Sequence, residues 1–227
     1  MHEQARRFTE FVRAHFPDFF HGKTVLDVGS GDVNGNNRYL FVSCDYHGND
    51  IDQGDNVTIV SRTKDLPFPP ESFDTIISTE CFEHDPEYIE SIRKIYSLLK
   101  PGGLFAFTCA SLGRPEHGTS RSHTADSFAS RAKIEDMQDY YRNLTISDIY
   151  NVAPLGQVFE QWRAYYHITA SDLYFIGQKH GGSDTPTVWA KIPEYRDPTQ
   201  PYFVSRVYPG ELYTISPELF STILRRQ

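Results

Sequence analysis

Two histidines lie among groups able to take a proton. Glu83-His84-Asp85 sets one imidazole between carboxylates, and Gly113-Arg114-Pro115-Glu116-His117-Gly118-Thr119 sets another beside a carboxylate and a hydroxyl. Activating a hydroxyl acceptor calls for a base within hydrogen-bond reach of its proton. His117 is the leading candidate for that base and His84 the second. A capping role for Asp85 with a structural His84, and an ordinary loop position for His117, are the plainer readings and stay open. Glu80, Glu83, His84 and Asp85 are close in sequence, but no companion oxygen ligands on separate loops are legible, so no metal is expected.

Another block suits binding rather than reaction. Val25-Leu26-Asp27-Val28-Gly29-Ser30-Gly31-Asp32 reads as a strand with a carboxylate near its end, followed by two glycines that permit a tight turn against a ligand. Asn34 breaks the G-x-G-x-x-G spacing of NAD-type sites. An acid about 20 positions further on would bond ribose hydroxyls. Asp50 lies 19 positions after Gly31, with Asp52 as its substitute, whereas Asp45 leaves almost no room for a helix. Ile51 offers an apolar face to an adenine.

These residues need a scaffold, and the pattern supplies one. Residues 3–16 carry Phe8, Phe11, Val12, His15 and Phe16 at helical spacing, stopped by Pro17. Strands are expected over 24–28, 45–51, 57–60, 73–79 and 104–109, with a short helical stretch at 36–41. A helix capped by Asp85 carries Tyr88, Ile89, Ile92, Ile95, Tyr96 and Leu99 on one face. Strand–helix–strand alternation predicts a parallel sheet with both faces covered. Residues 111–124 form a polar loop past a strand's carboxyl end, the edge where open α/β sheets bind ligands. Residues 134–141 read as a helix, and 157–166 and 172–177 as two antiparallel strands. From residue 181 the chain is proline-rich and aromatic, an appendage laid on the domain of residues 1–180, with a terminal helix over 217–226.

Composition sets the outer limits. The 227 residues carry 22 basic and 30 acidic side chains, a net charge of −8, which argues against non-specific nucleic-acid binding. No apolar run is long enough to span a membrane, and the first residues lack the apolar core of a signal peptide, so a cytoplasmic location is expected. The three cysteines are far apart and read as buried thiols.

VLDVGSGD, YHGNDI, LPFPPESFDTIIST, ECFEHDP and LLKPGGLFAFT, in this order, resemble the class I S-adenosylmethionine (SAM) methyltransferases of the type 11 kind over residues 20–110. The resemblance implies a Rossmann-like three-layer α/β sandwich, with a seven-stranded, mostly parallel sheet and an antiparallel last strand. It implies that Asp27, Gly29, Ser30 and Gly31 line the methionine half of SAM, that Asp50 and Ile51 take the ribose and adenine, and that Ser78, Thr79 and Glu80 flank the sulfonium and amino group. Where the family often has an acid near the adenine, Arg62 stands here, which leaves Thr63, Lys64 or Asp65 to hold the base. No Asp/Asn-Pro-Pro-Tyr motif of amine methylation follows the fourth strand.

The segment 113–119 and the block Tyr140-Tyr141-Arg142-Asn143-Leu144 resemble, more loosely, methyltransferases that accompany glycan-assembly glycosyltransferases. A sugar or glycan acceptor follows as the expectation, with glycosyltransferase domains as possible partners. Arg114, Glu116 and Thr119 would bind its hydroxyls, and Tyr140 and Tyr141 would pack on its C–H faces, with Tyr202 and Phe203 as additions. A methyltransferase of another small molecule and a SAM-binding module without catalysis are the alternatives.

Overall fold

The computed structural model describes residues 1–197 and the backbone of a strand at 203–205. Eight strands form one sheet: β1 Thr24–Val28, β2 Asp45–Asp50, β3 Ile59–Val60, β4 Phe73–Thr79, β5 Leu99–Ala110, β6 Phe159–His167, β7 Asp172–Lys179 and β8 Phe203–Ser205. Their order is β3-β2-β1-β4-β5-β7-β6-β8. β1 to β5 pair in parallel, and β7 is antiparallel to both β5 and β6. This is the expected seven-stranded α/β sandwich, with β8 added antiparallel on the outer edge of β6.

Strand period 2 creates the layers. Along β5, Phe105, Phe107 and Cys109 enter one core while Leu104 and Ala106 enter the other. The first core holds Ile92 and Ile95 of α2 (Tyr88–Leu98), Ile149 of α4 (Ile146–Val152) and Leu155 of α5 (Leu155–Val158). The second holds Phe8 and Val12 of α1 (Glu3–His15) and Trp189 of α6 (Thr185–Ala190). The described part of the appendage is therefore packed. Arg163 of β6 donates to the carbonyls of Trp189, Ile192 and Pro193, and Trp189 Nε1 donates to Gln178 at 2.9 Å. The expected terminal helix and Tyr202 lie outside the described residues, as does the side chain of Phe203.

Local chemistry shifts several boundaries. Asp85 does not cap α2 directly: the cap position is Glu87, and the Asp85 carboxylate accepts from the Glu87 N–H at 2.8 Å and the Ser91 hydroxyl at 2.6 Å. Residues 134–141 are turns rather than a helix. Lys133 takes φ +54°, and the Ser130 hydroxyl bonds the Gln138 carbonyl, which a helix would have kept for itself. The helices of this region are α3 (Phe128–Arg131) and α4. α4 begins at a reciprocal capping box between Thr145 and Asp148, a pattern written in the sequence.

The loops after β1 and β4 meet without space between them. Gly29 has φ +72°, and a Cβ there would lie 2.5 Å from Cys81 Cβ. Gly29→Ala combines a left-handed backbone with overpacking and is expected to cost about 1–3 kcal/mol of stability, read as a lower urea midpoint at unchanged slope. A midpoint equal to that of the parent would show that the two loops can separate at no cost.

Candidate active site

A cavity of about 410 Å³ opens at the carboxyl ends of β1, β2 and β4. Its volume falls within the ~300–1,000 Å³ typical of small-molecule sites. One end is built on the glycine turn. Asp27 is fully buried and accepts from the Tyr46 hydroxyl at 2.6 Å and Asn37 Nδ2 at 3.3 Å. Burial pushes its pKa up to about 7. Asn37 also donates to Thr79 Oγ1 at 3.2 Å, while its own Oδ1 is buried without a partner on the cavity wall. Such an orphan acceptor suits the ammonium of an amino acid.

Asp50 ends β2 and accepts from the N–H groups of Gly31 at 2.9 Å and Ile51 at 2.7 Å. Burial raises its pKa to about 6 against those bonds. Asp45 sits at the opposite end of β2 and Asp52 is exposed beyond it, so Asp50 alone of the three lines the cavity. Ile51 and Thr63 line it too, with Thr63 Oγ1 donating to Asn49 at 3.1 Å. Arg62 is engaged by Glu87 at 2.7 Å and Asp136 at 2.6 Å, so it braces the wall. Phe128 had no signal in the sequence. Its ring closes over the turn, and a Cβ on Gly31 would stand 2.3 Å from it. Ser78 departs from expectation: it is fully buried, gives its hydroxyl to the Val28 carbonyl, and does not line the cavity. Its neighbours Thr79 and Glu80 do line it, with Glu80 at φ +53°, a strained position for a residue with a side chain.

The other end is polar. The rings of His84 and His117 are 4.9 Å apart, and Tyr141 lies 5.6 Å from the first and 4.9 Å from the second. Burial holds both imidazoles neutral, lowering His84 to about 3 and bringing His117 below its ordinary value. His117 Nδ1 lies 3.2 Å from the Pro115 carbonyl. Arg114 reaches Asp172 at 3.0 Å and Glu80 at 3.8 Å. His2, from the start of the chain, reaches the same two carboxylates at 2.9 and 3.3 Å. Burial opposes charge on His2, yet Asp172 and Glu80 prevail and raise its pKa to about 10.

Three proposed acceptor contacts are placed otherwise. Thr119 is fully buried and gives its hydroxyl to Glu116 at 2.5 Å. Tyr140 does not line the cavity, and Tyr141 supports the imidazoles rather than presenting a ring face to the opening. Glu116 does line it, paired with Arg121 at 2.7 Å.

Residues 26–107 match the family described as a methyltransferase domain. Curated relatives include phosphoethanolamine N-methyltransferase 2 of Caenorhabditis elegans, 30% identical over 118 residues, which covers 44% of this chain and 27% of that protein. A sterol 24-C-methyltransferase of Pneumocystis carinii is 34% identical over 103 residues, covering 37% and 27%. A fatty-acid O-methyltransferase of Mycolicibacterium smegmatis is 30% identical over 105 residues, covering 39% and 38%. This chain thus spans between 27% and 38% of the length of these relatives. Among solved structures, a putative SAM-dependent methyltransferase from Listeria monocytogenes superposes with TM-score 0.50 at 16% identity, covering 76% of this chain and 96% of that one. That likeness concerns the fold. Residues 26–107, with the glycine turn and the sheet order around them, carry the features of a class I SAM-dependent methyltransferase domain. SAM is its cofactor, and the residues fit it: Asn37 and Asp27 at the amino-acid end, Asp50 at the ribose.

With Asp50 at the ribose, SAM binding would be sensitive to pH: the ionised carboxylate would accept from ribose hydroxyls, and it protonates as pH falls through about 6. SAM affinity by titration calorimetry should fall up to about tenfold between pH 7.5 and pH 5. Asp50→Ala should bind about tenfold or more weakly, with a smaller pH dependence that Asp27 still supplies. An unchanged affinity in the variant would remove Asp50 from the ribose site.

Proposed function

We propose that the domain transfers a methyl group from SAM to a hydroxyl of a polar acceptor, a sugar either free or within a glycan. The observation that carries this reading is the polar far end of the cavity, walled by Arg114, Glu116 and two neutral imidazoles. A sterol or an acyl chain needs an apolar wall, whereas Arg114, Glu116, His84 and His117 turn polar groups to the cavity here. Sugar hydroxyls find partners at Arg114 and Glu116.

When bound, SAM supplies a sulfonium methyl group open to in-line displacement. The chain's own task is to hold the acceptor oxygen in line and ease loss of its proton. The imidazole pair serves the second task, with His117 leading because it is the less buried of the two. Its Nδ1 is engaged with Pro115, which leaves Nε2 for the acceptor side. Arg114 keeps the neighbouring carboxylates compensated. With a sugar acceptor go, as part of the same proposal, glycosyltransferase partners and a cytoplasmic location.

Incubation with SAM and a panel of methyl glycosides, nucleotide sugars, phosphoethanolamine and a fatty acid, read by mass spectrometry, tests the reading. Sugars should gain a methyl group and the others should not. Transfer only to a non-sugar would overturn the acceptor class, and SAM binding with no transfer at all would favour a non-catalytic module. His117→Ala should lower turnover about 10²–10⁴-fold while SAM affinity holds. A loss below about threefold would take the role from His117.

A further inference from the structure

Glu83 is fully buried, and neither of its carboxylate oxygens has a hydrogen-bond partner. The Nδ1 atom of His84 is buried and unpartnered as well. Orphans of this kind are rare inside proteins. Three such atoms in adjacent residues ask for a common partner. Donor atoms of Glu83, His84 and His117 lie within 4.8 Å of one another, although His117 comes from a different loop. The Pro115 carbonyl sets the His117 ring with Nδ1–H donating and Nε2 free, which is how metal-bound imidazoles are oriented. Glu80, three residues before Glu83, adds negative charge that further disfavours ionised Glu83.

We propose that Glu83, His84 and His117 bind a divalent first-row transition-metal ion at the acceptor end of the cavity. Mixed imidazole and carboxylate donors suit manganese, iron, cobalt or zinc better than calcium. The ion would hold Glu83 ionised, against the burial and the Glu80 charge that now oppose it. A second group, His2, Glu80 and Asp172, is equally close-set. It is already balanced: Arg114 lies 3.0 Å from Asp172, and protonated His2 has no lone pair to give.

The assignment deepens the methyl-transfer reading and rests on it for its purpose. Three protein ligands leave coordination positions open. An acceptor hydroxyl bound at one of them becomes more acidic. Its proton passes to water as the O–C bond forms, while the C–S bond breaks with its electron pair going to sulfur. With the ion bound, His84 and His117 hold it, and the proton leaves to water instead of to His117.

The test uses the full chain, stripped of metal and titrated with cobalt(II) chloride in the absence of SAM and acceptor. Visible d–d absorption should saturate at one ion per chain. Glu83→Gln and His117→Ala should each weaken binding at least tenfold while retaining the parent's thermal midpoint in the metal-free state. His117 lies on a partly exposed loop, so its variant decides the matter if Glu83→Gln fails to fold. No saturable signal, or a signal unchanged in the folded variants, overturns the site. Because binding is read without the reaction, its failure leaves methyl transfer standing. Conversely, cobalt binding with no transfer to any acceptor sinks only the catalytic reading. Full turnover in EDTA, with the metal shown to be removed, overturns the ion's catalytic part.

Discussion

The close approach of three backbone segments at the carboxyl edge is the constraint from which the site follows. Gly29 touches the Cys81 side chain, Gly31 lies under the Phe128 ring, and Gly118 lies against the His84 ring, with no room for a Cβ at any of them. These contacts join the loops after β1, β4 and β5, which carry the glycine turn, the Glu80–His84 segment and His117. The sheet makes this possible because β1, β4 and β5 run in parallel, so their carboxyl ends open on the same side. A side chain at any of the three positions would push the cofactor end and the acceptor end apart.

Burial then assigns protonation. At one end Asp27 and Asp50 are raised toward neutral pH by desolvation, held back by N–H and O–H donors. At the other, desolvation keeps both imidazoles neutral. Between them Arg114 and protonated His2 compensate Asp172 and Glu80. One cavity thus passes from a cation-seeking end to an end with free lone pairs. That gradient separates an amino-acid ammonium from a neutral hydroxyl acceptor by electrostatics as well as by distance.

The scaffold was legible where the chain obeys a period. The five parallel strands, the β6–β7 pair, α1 and α2 follow from alternation, helical spacing and proline stops. This end of the cavity was legible because a glycine turn and an acid about 20 residues on are local signals, and Asp27, Gly29, Gly31 and Asp50 all line it. Ser78 was misjudged because strand adjacency says nothing about which face a hydroxyl takes. It points to the Val28 carbonyl. The turns at 134–141 defeated a periodic reading because a side chain, Ser130, captures the Gln138 carbonyl a helix would use.

The acceptor end was the least legible, and the reason is sequence distance. His84 and His117 are 33 positions apart, and only the crossover through α2 and β5 sets their rings 4.9 Å from each other. Tyr141 joins them from a further loop, whose place is set by Arg142 N–H bonding the Glu83 carbonyl and Leu144 N–H bonding that of Ala110. Those two bonds dock the Tyr140–Leu144 block onto the ends of β5 and the Glu83 turn. The Glu83 side chain beside them is sealed from water and has no side-chain donor. The same docking that orders the imidazoles therefore sets the unpaired carboxylate beside them, so the orphaned groups and the acceptor site have one structural origin.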